Sequence, residues 1–154
     1  MKNIWKFIIS LILPFLASLI GGIFTASSVS TWYLTLVKPS FNPPSWIFGP
    51  VWTLLYLMMG LALYLVWINK QENKKPAFTV FGIQLFLNAL WSILFFGFKR
   101  PLFAFIEIIF LWISIFVTLV YFYKIEKKAA YLLIPYILWV SFAAVLNFFI
   151  YYLN

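Results

Sequence analysis

Neither cysteine nor histidine occurs in the 154 residues. Their absence excludes disulfides, Cys/His zinc sites and every nucleophile–base system built on those side chains. Haem ligation through either one is excluded as well, which leaves methionine or tyrosine as weak axial candidates. Carboxylates are almost missing: Glu72, Glu107 and Glu126 are the only three. Acid–base chemistry with paired carboxylates therefore has little to draw on. Charged residues of either sign make up 9% of the chain, too few to clothe a water-facing surface. Whatever the protein does rests on aromatic, amide and hydroxyl groups.

What is present is grease and rings. Hydrophobic residues reach 66%, aromatic ones 23%, and the mean hydropathy is +1.04. A helix needs roughly 20 mostly apolar residues to cross a bilayer, and five such runs are legible at about 4–26, 46–68, 77–98, 101–123 and 129–153. The expected fold is an all-α membrane protein, a five-transmembrane-helix bundle in a single domain. The first run is longer than a signal peptide's apolar region of about 7–15 residues, so it reads as a retained helix. The net charge of +8 reflects topology rather than nucleic-acid binding, because the basic residues sit in small groups between the apolar runs. Eight of them (Lys2, Lys6, Lys70, Lys74, Lys75, Lys124, Lys127 and Lys128) fall on one side of the alternating helices, against Lys38, Lys99 and Arg100 on the other. The positive-inside rule then places the amino terminus in the cytoplasm and the carboxyl terminus outside.

Between the first two helices runs a segment that is neither short nor polar. The stretch Trp32–Tyr56 holds four of the eight prolines and three of the eight tryptophans. Pro39, Pro43 and Pro44 each fix their own φ and push the preceding residue towards extended backbone. A stiff, aromatic-bearing connection of this kind reads as a lid over the outer end of the bundle.

Polar side chains inside the apolar runs fall on faces beneath that lid. Gln84, Asn88, Trp91 and Phe95 share one face of the third helix, and Tyr136, Trp139, Ala143 and Asn147 one face of the fifth. Trp52, Tyr56 and Met59 share a face of the second. At a rise of ~1.5 Å per residue, Asn147 lies ~8 Å from the outer helix end, Trp52 and Trp91 ~10 Å, Asn88 ~15 Å and Trp139 ~20 Å. A cavity lined by indoles, phenols and a few amides suits a large, flat, mostly apolar ligand. The plainer reading makes Asn88 and Asn147 interhelical hydrogen-bond glue and the tryptophans interface anchors, as expected for Trp5 and Trp67 at helix ends. Trp112 on the fourth helix fits a lipid-facing position. Ala17, Ser18, Gly21, Gly22 and Ala26 on the first helix have a spacing that permits close helix–helix approach, and ordinary membrane-helix composition accounts for them equally well. Glu107, the one carboxylate inside a span, is expected to pair with Lys99 or Arg100, to snorkel to the boundary, or to serve a functional site.

These blocks resemble the TspO or tryptophan-rich sensory proteins, whose animal relatives are the mitochondrial translocator protein, or peripheral benzodiazepine receptor. The resemblance rests on KPSFNPPSWIFGPVWTLLY (Lys38 to Tyr56), LNALWSILFF (Leu87 to Phe96), Glu107 and PYILWVSFAAVLN (Pro135 to Asn147). It implies a bundle, often a homodimer, in a bacterial cell membrane that binds protoporphyrin IX or haem, and also benzodiazepine- and isoquinoline-type ligands. It further implies light- and oxygen-dependent porphyrin breakdown, with Trp52 and Trp139 as the catalytic pair. Carried over by position, the ligand-binding residues are Tyr33, Trp46, Trp52, Tyr56, Asn88, Trp91, Trp139, Ala143 and Asn147. Phe41 stands where the family usually has tryptophan. No basic residue follows Tyr151 and Tyr152, so the sterol-recognition pattern of the animal relatives is incomplete. Transport of porphyrins or similar lipophilic molecules is the alternative function.

Overall fold

The computed structural model describes residues 2–154. The first span, α1 (Lys2–Ser28), is followed by a single helical turn, α2 (Trp32–Thr35), inside the stretch expected to be extended. Leu36 to Pro44 then runs without helix to a 3₁₀ turn at Ser45–Ile47, which opens α3 (Phe48–Ile68). Next come α4 (Lys75–Ser92), extended by a π-helical turn at Ile93–Gly97, then α5 (Pro101–Ile125) and α6 (Lys127–Leu153). Among the described residues, five helices are long and apolar enough to span a membrane: Asn3–Ser28, Ser45–Ile68, Lys75–Gly97, Pro101–Ile125 and Lys127–Leu153. Each expected helix is present, with the ends of the spans shifted by at most two residues.

The breaks follow from the residues at them. Pro76 and Pro101 lie in the first turns of α4 and α5, where a missing N–H costs nothing. At the end of α3, Lys74 Nζ donates to the carbonyls of Trp67 and Asn69 at 2.8 and 2.6 Å, so a cation satisfies the last orphan acceptors. Burial and the nearby Lys6 ammonium hold that amine below its ordinary range. Asn69 Nδ2 donates to the Ile125 carbonyl at 3.1 Å, joining two of the basic turns, while Lys6 lies 6.0 Å from the Trp67 ring. The lysine-rich segments thus gather at one end of the bundle, as the alternation of spans requires.

Packing divides the bundle into two halves. Towards the lysine-rich end, Met59, Ala62, Val66, Ile115, Phe122 and Ala129 are fully buried, and Phe81 stacks on Phe122 at 5.7 Å. Here α1 and α3 lie in close contact at Gly60, where an added Cβ would lie 2.8 Å from Leu11 Cδ2 and 2.9 Å from the Ser10 carbonyl. A second, smaller cluster of Tyr33, Phe95, Phe96, Ala104, Leu146 and Ile150 closes the other end under α2. The small residues of α1 divide between two roles: Gly21 serves a close approach, since an added Cβ there would lie 3.1 Å from Ser92 Oγ on α4. Gly22 would find nothing within 4 Å of an added Cβ, and Ser18, Gly21, Gly22 and Ala26 border empty space. That space lies where the two packed halves separate.

Candidate ligand-binding site

A cavity of about 440 Å³ occupies the half of the bundle under the lid. All five spans contribute to its wall: Gly22 and Ala26 from α1, Trp52 and Tyr56 from α3, Asn88 and Trp91 from α4, Leu111 from α5, and Trp139, Ala143 and Asn147 from α6. The lid adds Tyr33 and Ser45. None of the lining residues carries a charge. The size falls in the range of small-molecule sites, and the chemistry matches them, mostly apolar with a few fixed polar atoms.

Eight of the nine sequence-predicted binding residues meet there: Tyr33, Trp52, Tyr56, Asn88, Trp91, Trp139, Ala143 and Asn147. Trp46 does not; it is 73% exposed on the outside of the 3₁₀ turn. In a 3₁₀ turn residues three apart eclipse one another, so Ser45 and Phe48 face inward together and Trp46 turns away. Phe48 takes the place expected of Trp46 and packs edge-on against Trp139 at 6.0 Å. The sequence alone gave no means of choosing between these two neighbouring rings.

The amides both glue helices and border the cavity, so the two readings of Asn88 and Asn147 do not compete. Trp91 Nε1 donates to Asn147 Oδ1 at 2.9 Å, and Asn147 Nδ2 donates to the Pro101 carbonyl at 2.9 Å. That links α4, α6 and the start of α5. Tyr56 Oη donates to Asn88 Oδ1, Asn88 Nδ2 donates to Tyr136 Oη at 2.9 Å, and Tyr136 Oη donates to Gln84 Oε1 at 2.7 Å. Trp52 stacks on Tyr56 at 5.7 Å and meets Tyr136 edge-on at 6.5 Å, so its indole is held from two sides. Trp139 is held by Phe48 and Phe142, but its buried Nε1 has no hydrogen-bond partner.

The lid is fastened at several points. Tyr33 Oη donates to Asn42 Oδ1 at 3.1 Å, and Lys38 Nζ sits 4.7 Å from the Tyr33 ring. Burial raises the Tyr33 phenol above its ordinary value of 10.0, only partly offset by the bond to Asn42. Phe41 meets Phe142 and Phe149 edge-on at 6.2 and 5.5 Å, so the phenylalanine still docks the lid on α6. Asn154 pairs with the Val37 backbone in both directions, accepting from its N–H at 3.0 Å and donating to its carbonyl at 2.8 Å. Nothing in the sequence pointed to that last residue, because its partner lies 117 positions away.

Glu107 departs from expectation. It is 6% exposed, neither carboxylate oxygen has a hydrogen-bond partner, and among the described residues it forms no ion pair with Lys99 or Arg100. Those two cations sit on exposed backbone outside the span, while the α5 helix carries Glu107 inward between its neighbours. Trp112 is 36% exposed towards the lipid side, and its Nε1 donates to Ser141 Oγ at 2.8 Å.

The sequence is similar to those of known proteins. The sequence profile described as the TspO/MBR family matches residues 10–153. The chain belongs to the TspO/MBR family. Among relatives of this TspO/MBR chain, the tryptophan-rich protein TspO of Archaeoglobus fulgidus is 47% identical over 152 residues, 99% of each chain. The translocator protein of Homo sapiens is 36% identical over 138 residues, covering 88% of this chain and 82% of its own. A tryptophan-rich sensory protein of Cereibacter sphaeroides is 37% identical over 117 residues, 76% of this chain and 73% of its own. Family membership and five apolar spans make this an integral membrane protein.

Proposed function

We propose that this TspO/MBR chain binds a flat, largely apolar tetrapyrrole beneath its lid, in a sensory or stress-related role. The observation that carries the reading is the uncharged cavity walled by Trp52, Trp91 and Trp139. The donor set favours metal-free protoporphyrin IX over haem. The wall holds no histidine, cysteine or methionine, and the Tyr33 and Tyr56 hydroxyls already donate to Asn42 and Asn88. With no cation in the wall, the ligand's carboxylates belong at the mouth rather than in the interior. The lid and carboxyl terminus then face outward from the cell membrane, with the lysine-rich end in the cytoplasm.

Light- and oxygen-dependent breakdown of the bound ring is the second reading. It is favoured by the position of two oxidisable indoles, Trp52 and Trp139, in the wall itself. Transport through the bundle ranks behind both, because the lysine-rich half below the cavity is closed by fully buried side chains such as Met59 and Phe122.

Titrating protoporphyrin IX into detergent-solubilised protein is expected to quench tryptophan emission saturably. The Trp52→Ala, Trp139→Ala double variant is expected to bind at least about tenfold more weakly, equivalent to about 1.4 kcal/mol. Unchanged quenching in that variant removes the proposed pocket. Under illumination, a product formed equally fast by free tryptophan in micelles removes the breakdown reading.

A further inference from the structure

Helix α1 changes partner along its length. In the lysine-rich half it lies against α3: Phe7 meets Tyr64 edge-on at 5.2 Å, and Gly60 leaves no room for a Cβ beside Leu11 and the Ser10 carbonyl. In the lidded half it lies against α4 and the π turn instead. There an added Cβ at Gly21 would lie 3.1 Å from Ser92 Oγ, and one at Gly97 2.6 Å from Phe24 Cδ1. Ser28 Oγ also donates to the Phe96 carbonyl at 2.6 Å. A helix held to α3 at one end and to α4 at the other parts from α3 towards the lid.

The resulting gap shows in the cavity wall. Five of the lining residues are exposed, Gly22 and Ala26 on α1 and Ser45, Gly49 and Thr53 on the 3₁₀ turn and α3. Every lining residue from α4, its π turn, α5 and α6 is buried or half-buried. All five exposed residues are small, and neither Gly22 nor Gly49 would find a neighbour within 4 Å of an added Cβ. At ~1.5 Å per residue, Ala26 and Gly22 lie ~3 and ~9 Å below the outer end of α1, and Gly49 and Thr53 ~6 and ~12 Å below the start of their span. The slot therefore reaches from the boundary into the acyl-chain region. Its rim suits lipid, because the Thr25 and Thr53 hydroxyls spend their protons on the Gly21 and Gly49 carbonyls at 2.9 and 2.8 Å. The end of the bundle is shut by comparison, since Phe41 and Asn154 fasten the lid to α6.

We propose that the cavity opens sideways into the bilayer between α1 and α3, so that its ligands are molecules dissolved in the membrane and enter without lifting the lid. The small residues at the rim set the width of that entry. The inference rests on the cavity being a ligand site, but not on the ligand being a tetrapyrrole.

The full-length protein in lipid nanodiscs tests this with protoporphyrin IX, by stopped-flow tryptophan quenching. Gly22→Leu and Gly49→Leu reach across the slot from opposite sides, and each is expected to slow association and dissociation together by about tenfold, a change in barrier rather than in affinity. Gly82→Leu places the same side chain on α4 away from the cavity, again with nothing within 4 Å, and is expected to leave both rates unchanged. A second arm needs no ligand. The chain has no native cysteine, so Ala143→Cys puts a single thiol in the cavity wall. An apolar, membrane-partitioning maleimide is expected to label it much faster than a charged one, and Gly49→Leu to slow that labelling. Unchanged rates in both Gly22→Leu and Gly49→Leu overturn the proposal, as does labelling by the charged maleimide as fast as by the apolar one. Failure of the tetrapyrrole reading is visible separately, as wild type that gives no saturable quenching with protoporphyrin IX while the apolar maleimide still enters by the slot.

Discussion

Glu107 sits in the packed part of α5 with both carboxyl oxygens unbonded and, among the described residues, no ion pair. A buried polar group without partners costs about 1–3 kcal/mol, and an apolar side chain of similar size removes that cost. Glu107→Leu is therefore expected to raise the thermal midpoint in detergent, by the equivalent of about 1–3 kcal/mol. A lower midpoint would mean that the carboxyl has a partner in the folded protein. Residue identity alone pointed to Glu107 as unusual, because a carboxylate in an apolar run is costly wherever it lands. Its environment was not legible. Whether the α5 turn beyond Arg100 aims the side chain back at the cations or into the bundle depends on how α4 and α6 press on that helix.

The helices themselves were readable because length, hydropathy and proline punctuation are local properties. The α1–α3 contact was not. The run Ala17, Ser18, Gly21, Gly22 and Ala26 has the spacing for close packing, yet of its glycines Gly21 packs against Ser92 of α4, and the tight α1–α3 contact is made by Gly60 against Ser10 and Leu11. Small residues permit both a close approach and a cavity wall, and only the separation of the axes decides between them. Gly60→Val is expected to destabilise by about 1–3 kcal/mol through overpacking, seen as a lower thermal midpoint. Gly22→Ala is expected to be neutral or slightly stabilising, since its methyl meets nothing within 4 Å and helix propensity improves. Equal losses in the two variants would contradict the account. At the lid, Phe48 rather than Trp46 faces inward for the same kind of reason, a 3₁₀ turn where the sequence gave only a choice between adjacent rings.

Across the whole molecule the basic residues separate, with eight at one end and three at the other. Because the chain has no native cysteine, single replacements report sidedness cleanly. In intact cells, an impermeant maleimide is expected to label Lys38→Cys and not Lys127→Cys; the opposite pattern inverts the proposed orientation. Span number, lipid solvent and charge asymmetry follow from the sequence alone, because they are sums over composition and one-dimensional spacing. So does the set of deep rings and amides, since helical periodicity puts Asn88 with Trp91 and Trp139 with Asn147 on shared faces. The tertiary structure alone decided that these faces surround an open space instead of interlocking. The reason is geometric: Gly60 draws α1 and α3 together in one half, the lid cluster closes the other, and the gap between them belongs to no single helix.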